Sequence, residues 1–142
     1  MLKGISDILS PELLKILAEM GHGDDLVIGD CNFPAASMNA RCVRADGHKG
    51  TEMLNEILKL FPLDTFVEAP VTLMEVVPGS MDSDPPVWKE ISAIVEKHEP
   101  GTKIGHMERF AFYERARKAY ATVATSEKAF YGCMIIKKGC LL

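Results

Sequence analysis

Apolar residues recur along this chain in two periods, and the two alternate. Leu13, Ile16, Leu17 and Met20 follow the i, i+3, i+4, i+7 spacing of a helix with one buried face. Ser10 is placed to cap that helix, Pro11 fills its first position, Glu12 suits the positive end of its dipole, and Gly21 supplies a stop. Leu26-Val27-Ile28 follows as a short apolar run bounded by Asp and Gly, the mark of a buried strand. Phe33-Pro34 breaks the chain, and Pro34-Ala35-Ala36 opens a short helical turn. Cys42-Val43-Arg44 reads as a small strand ended by the turn Asp46-Gly47. Leu54, Ile57, Leu58 and Phe61 then share one face of a second helix over residues 51–61.

The second half repeats the alternation. Val71 to Val77 reads as a strand ended by Pro78-Gly79. Asp84-Pro85 caps a third helix with Val87, Ile91, Ile94 and Val95 inward, and Pro100-Gly101 ends it. A short strand near Ile104 leads into ERFAFYERARKAY, whose middle is helical and whose basic residues gather toward the C-terminal end, as the dipole favours. Tyr120 to Thr125 alternates as a strand, and Met134-Ile135-Ile136 forms the last one. Interleaved helices and strands predict an α/β fold: three layers, with helices packed on a central mixed sheet. No repeat, linker or low-complexity segment divides the chain, so residues 1–142 form a single domain.

Composition narrows the classes. Hydrophobic residues are 47% and charged residues 25%, ordinary for a globular protein. The net charge of −4 argues against nucleic acid and against an anionic lipid surface as partners. No apolar run reaches membrane-span length, and MLKGISDIL turns polar before a signal-peptide core forms. Cys31, Cys42, Cys133 and Cys140 include no C-x-x-C pair, so a zinc knuckle or thioredoxin motif is not expected, and reduced thiols in the cytoplasm are.

Few residues stand where chemistry is possible. His22 lies between two glycines just after the first helix, where the backbone bends and leaves the imidazole accessible. An imidazole titrates close to neutrality and can both give and take a proton, although a surface turn histidine is the commoner fate. Asp30 follows a buried strand at the end where α/β sheets collect ligands; a turn aspartate bonding its own backbone is the alternative. Arg109 sits among Phe110, Phe112 and Tyr113, placed either to fork onto vicinal hydroxyls or to pair with an acid such as Glu108. Tyr113 and Tyr131 have rings that pack and hydroxyls that reach a ligand. His48, His98 and His106 are scattered without H-x-x-x-H spacing, so no metal site is expected, and no G-x-G-x-x-G, Walker or G-x-S-x-G motif is present. The spacing leaves a cofactor-free set too generic to name a reaction.

Longer stretches go further. SPELLKILAEMGHGDDLVIGDCNFPA, RADG, LFPLDTF and RFAFYERARKAYATVATSEKAFYG strongly resemble the fucose-mutarotase branch of the sugar-pyranase family, which also holds D-ribose pyranase. The likeness spans nearly the whole chain and is loose over residues 78–106. It implies interconversion of the α and β anomers of a reducing sugar, L-fucose first, without metal or nucleotide. His22 is then the acid/base residue, and Tyr113 matches an active-site tyrosine of the animal members. Asp30 and Arg109 match substrate-binding positions, and Asp64 and Met74 match further sugar contacts. Tyr131 and Gly132 begin a tyrosine-small-asparagine motif in which this chain departs, carrying Cys133 in place of asparagine. A thiol is a weak donor and a poor acceptor, so one sugar hydroxyl loses a partner or finds a backbone group instead. The resemblance also implies a homo-oligomer, with rings of five paired into a decamer and each pocket completed by a neighbouring subunit; an animal-type dimer is the other assembly. The rival readings are a ribose-type pyranase, a sugar-binding protein without catalysis and, furthest off, a metal hydrolase.

Overall fold

The computed structural model describes residues 1–142. Its elements run α1 (Pro11–Glu19), β1 (Asp25–Gly29), α2 (Ala35–Met38), β2 (Cys42–Ala45), α3 (Gly50–Leu58), β3 (Val71–Met74), α4 (Val87–His98), β4 (Ile104–Met107), α5 (Arg109–Arg117), β5 (Ala121–Thr125) and β6 (Met134–Lys137). The six strands form one sheet in the order β2-β5-β1-β6-β3-β4. β5 runs parallel to β1 and β2, and β3 parallel to β4. β6 runs antiparallel to β1 and to β3, so the sheet is mixed, as expected.

Alternation along the strands explains the layers. Leu26 and Ile28 of β1, Met134 and Ile136 of β6, and Val71 and Leu73 of β3 face a core of 24 buried residues shared with α1, α3 and α4. Val27, Ile135 and Met74 point the other way, into a smaller core built around Phe112 and Ala116 of α5. β1 is covered on both faces, and Leu26, Val27 and Ile28 are each fully buried, which is why its sequence is a continuous apolar run. Burying each such side chain stabilises the fold by about 1.5–3 kcal/mol.

α5 carries few buried residues and is held by polar contacts as well. Arg115 donates from Nε and Nη2 to both carboxylate oxygens of Asp25, at 2.8 and 2.9 Å, and from Nη1 to Thr72. Lys137 also reaches Asp25, at 3.0 Å. Burial alone would raise the Asp25 carboxyl, but the hydrogen bonds and charges of Arg115 and Lys137 outweigh it and hold the group below its ordinary value.

Several boundaries differ from the sequence expectations for physical reasons. Ser10 does cap α1, its hydroxyl accepting from the Leu13 N–H at 3.1 Å. The left-handed turn after α1 falls at Gly23 (φ 89°) rather than at Gly21. The expected strand Val71–Val77 ends at Met74, where its neighbour β4 also ends: the Glu75 N–H still bonds the Met107 carbonyl, and the Val77 N–H turns to the Tyr131 hydroxyl. Asp84 does not cap α4, which begins at Val87 with no side-chain cap. No helix is long and apolar enough to cross a membrane.

Candidate functional site

The carboxyl ends of β1 and β3 and the start of antiparallel β6 meet at one edge of the sheet, and a cavity of about 350 Å³ opens there. Asp30, one residue past β1, lies on its wall with Asn32 and Phe33. The Asp30 carboxylate accepts the Asn32 N–H at 3.0 Å, so the turn-forming role and the place on the cavity coexist. Burial raises the Asp30 carboxyl above its ordinary value, against the N–H groups of Asn32, Phe33 and Gly132.

α5 contributes its first turn. Glu108 caps it by accepting the N–H groups of Phe110 and Ala111 at 2.9 and 3.0 Å, which commits that carboxylate to the helix. Arg109 therefore has no acidic partner; its guanidinium lies 5.3 and 5.5 Å from the ring centres of Phe110 and Tyr113 and faces the cavity. Tyr113 packs edge-on against Phe33, with ring centres 5.8 Å apart. Phe33 in turn meets Phe112 of the buried layer at 6.0 Å.

The loop before β6 forms the opposite wall. Tyr131 adopts a left-handed backbone (φ 59°), uncommon for a residue with a side chain. Its hydroxyl accepts the Val77 N–H at 3.0 Å and hydrogen-bonds the Ser80 hydroxyl at 2.6 Å, tying down the segment that carries Val77, Ser80 and Met81 onto the cavity. The Trp88 indole N–H donates to the Tyr131 carbonyl at 3.2 Å. Gly132 is packed so closely that a Cβ there would stand 2.8 Å from Glu127 Cγ. Cys133 is 3% exposed, and burial pushes its thiol up to about 12, so it remains protonated. The lining mixes apolar side chains, Met74 and Cys133 among them, with the polar Asp30, Arg109 and Ser80.

His22 stands apart from this cavity. It precedes β1 and Asp30 follows it, so the two lie at opposite ends of that strand. The imidazole is 45% exposed, and its Nε2 lies 3.1 Å from Asp64 Oδ1. Phe66 tilts against it with ring centres 5.4 Å apart. Asp64 is 3% exposed, and the same oxygen accepts the Phe66 N–H at 3.0 Å. That N–H, joined by His22, holds the Asp64 carboxyl below its ordinary value.

One chain thus brings Asp30, Met74, Arg109, Tyr113, Tyr131 and Cys133 together, with Gly132 behind them, and places His22 with Asp64 elsewhere. Asn32, Phe33, Val77, Ser80, Met81 and Phe130 complete the cavity and were not expected from the sequence. Phe33 had a signal, the chain break Phe33-Pro34; the segment 77–81 read as a strand end. No three His, Cys, Asp or Glu side chains gather as a metal-binding cluster would.

The RbsD / FucU transport protein family model matches residues 3–141. The chain belongs to this family. Among RbsD / FucU relatives, an L-fucose mutarotase of Actinobacillus pleuropneumoniae is 51% identical over 98% of this chain and 96% of its own length. A human fucose mutarotase is 48% identical over 99% of this chain and 94% of its own. The crystal structure of the fucose mutarotase of Streptococcus pneumoniae in complex with L-fucose superposes with a TM-score of 0.93 at 44% identity, covering 99% of this chain and 100% of that one. It shares the α/β architecture described above for this RbsD / FucU member.

Proposed function

We propose that this protein is an L-fucose mutarotase, interconverting the α and β anomers of the sugar. Full-length identity near one half with proteins of that activity carries the reading. The cavity supports it: it is concave and lined by both apolar side chains and hydrogen-bonding groups, as a monosaccharide site requires.

The separation of His22 from the cavity supports a site shared between two copies of the chain. The partner subunit's His22 reaches the mouth of a cavity that holds Asp30, Arg109 and Tyr113. Exposed aromatics flank both halves: Phe66, 76% exposed, beside His22, and Phe110 and Phe130, 65% and 70% exposed, near the cavity. Docking one end of a copy onto the other end of the next is a head-to-tail contact, and such contacts form rings when the rotation between copies closes. Rings of five, paired into a decamer, are the assembly we expect. Four free cysteines, two of them exposed, fit a reducing cytoplasmic setting.

In this site Arg109 and Asp30 hold sugar hydroxyls, and Arg109 has the free guanidinium that this needs. His22 takes the proton of the anomeric hydroxyl. The bond between C1 and the ring oxygen breaks, an aldehyde forms, and the ring oxygen takes a proton from Tyr113 or from a water beside it. Rotation about the C1–C2 bond turns the aldehyde face, and the same groups run the steps backwards. General acid–base help of this kind is worth about 10²–10⁴-fold.

Saturation-transfer NMR on L-fucose tests the reading. The protein should speed exchange between the anomeric signals, more for L-fucose than for D-ribose, and His22→Ala should abolish the effect in a folded protein. Faster exchange on ribose than on fucose would favour the ribose-type reading, and sugar binding without faster exchange would favour a non-catalytic binder.

A further inference from the structure

We propose that Asp64 is a positioning residue, which fixes His22 with its proton on Nε2 and leaves Nδ1 as the nitrogen that trades protons with the sugar. The proposal rests on the reading of His22 as the acid/base group and assigns a role to the carboxylate behind it.

The geometry carries it. Asp64 Oδ1 lies 3.1 Å from His22 Nε2, a hydrogen-bonding distance. A carboxylate accepts and does not donate, so Nε2 bears the hydrogen and the neutral ring has its lone pair on Nδ1. No group of the same chain hydrogen-bonds Nδ1, and the ring is 45% exposed, so that nitrogen is open to a ligand. Asp64 is itself held. It is 3% exposed, Oδ1 also accepts the Phe66 N–H at 3.0 Å, and its own N–H donates to the Lys137 carbonyl at 3.0 Å beside β6. The Phe66 ring limits how the imidazole can swing. The arrangement fixes the nitrogen that reacts and, because the carboxylate is negative, stabilises the imidazolium formed when His22 takes the sugar proton. Lys137 is the other charged side chain that acts on this carboxylate.

The competing role is direct contact between Asp64 and a sugar hydroxyl. Oδ1 already serves two donors inside the chain, which favours positioning. The two roles move different observables.

Asp64→Asn preserves an oxygen for the Phe66 N–H and removes the charge. We expect kcat for anomer exchange to fall by about tenfold or more, a part of the roughly 10²–10⁴-fold that general acid–base catalysis supplies. KM for L-fucose should stay. A KM that rises with kcat unchanged would overturn the proposal in favour of sugar contact. Unchanged kcat and KM would overturn it outright. His22→Ala separates the two levels: if that variant exchanges fucose like the wild type, the reading of His22 fails; if it is inactive while Asp64→Asn is unaffected, only the role of Asp64 fails. A second measurement needs no variant at Asp64. Long-range ¹⁵N–¹H correlation spectra of the sugar-free wild type, with His22 assigned by its loss in His22→Ala, should show a protonated Nε2 and an unprotonated Nδ1 in the neutral ring. The reverse pattern would overturn the proposal.

Discussion

Replacing Gly29 by alanine tests how firmly the cavity wall is built. Gly29 closes β1, immediately before Asp30. An added Cβ would stand 2.9 Å from Phe33 Cδ1, 3.1 Å from Phe33 Cβ and 3.2 Å from Phe33 Cγ. The first distance is shorter than real contacts allow, and Phe33 cannot retreat freely because its ring already meets Phe112 and Tyr113. The backbone at Gly29 has no left-handed φ, so alanine brings no backbone strain and gains about 0.4–1 kcal/mol by restricting the unfolded chain. Overpacking costs about 1–3 kcal/mol. The balance is a loss of about 1–2 kcal/mol, or roughly 3–6 °C in Tm for a chain of this size. The displaced ring also moves Tyr113 and the turn that carries Asp30, and sub-ångström to one-ångström errors at such groups cost up to about a hundredfold in rate. Thermal melts followed by circular dichroism, with NMR exchange on L-fucose, measure both. A variant that melts at or above the wild type and exchanges fucose at the same rate would refute the argument that Phe33 is a fixed wall.

Asp30→Asn should separate stability from function. Burial raises the Asp30 carboxyl, so its ionised form costs stability above the folded pKa, and the cost disappears below the unfolded value near about 3.9. The variant should melt above the wild type at neutral pH, lose that advantage below about pH 4, and exchange fucose more slowly at every pH. Arg115→Met should destabilise by about 1–3 kcal/mol, less than for a fully buried pair because Lys137 still faces Asp25. Arg115 and Lys137 hold the Asp25 carboxyl low, so the stability they bring is full above about pH 4 and lost as pH falls; chemical-denaturation curves should show the gap to the wild type narrowing in acid. Cys133, with its thiol pushed up to about 12, should resist iodoacetamide in the folded protein, read by peptide mass spectrometry, while unfolding exposes it to reaction.

The elements with a strong local signal were legible before any coordinates. α1 shows this, with its cap at Ser10 and a face of Leu13, Ile16 and Leu17 that the structure buries. β1 was legible for the opposite reason, being apolar throughout because helices cover both faces. α5 was less so: only Phe112 and Ala116 are buried, and its place is set by Arg115 reaching Asp25, 90 residues away in sequence. Asp30 and Arg109 were legible at a strand end and a helix start, Tyr113 and Tyr131 as rings with a reaching hydroxyl, and Met74 and Cys133 only through the family resemblance. Val76-Val77 resumes the apolar pattern after Glu75, so the local signal for a stop is weak. The neighbour β4 ends at Met107, and the Val77 N–H turns to the hydroxyl of Tyr131, 54 residues on. The His22–Asp64 contact spans 42 residues and has no spacing signature at all.

The proposed shared site is tested most directly by co-expressing His22→Ala and Asp30→Ala, each expected to be inactive alone, and measuring anomer exchange of L-fucose on the mixed assembly. If the cavity of one copy works with the partner subunit's His22, about a quarter of the sites in a random mixture regain both groups, and exchange returns to roughly that fraction of the wild-type rate. If each copy supplies its own His22 to its own Asp30, every site in the mixture lacks one group or the other. Exchange at the uncatalysed rate would then contradict the account.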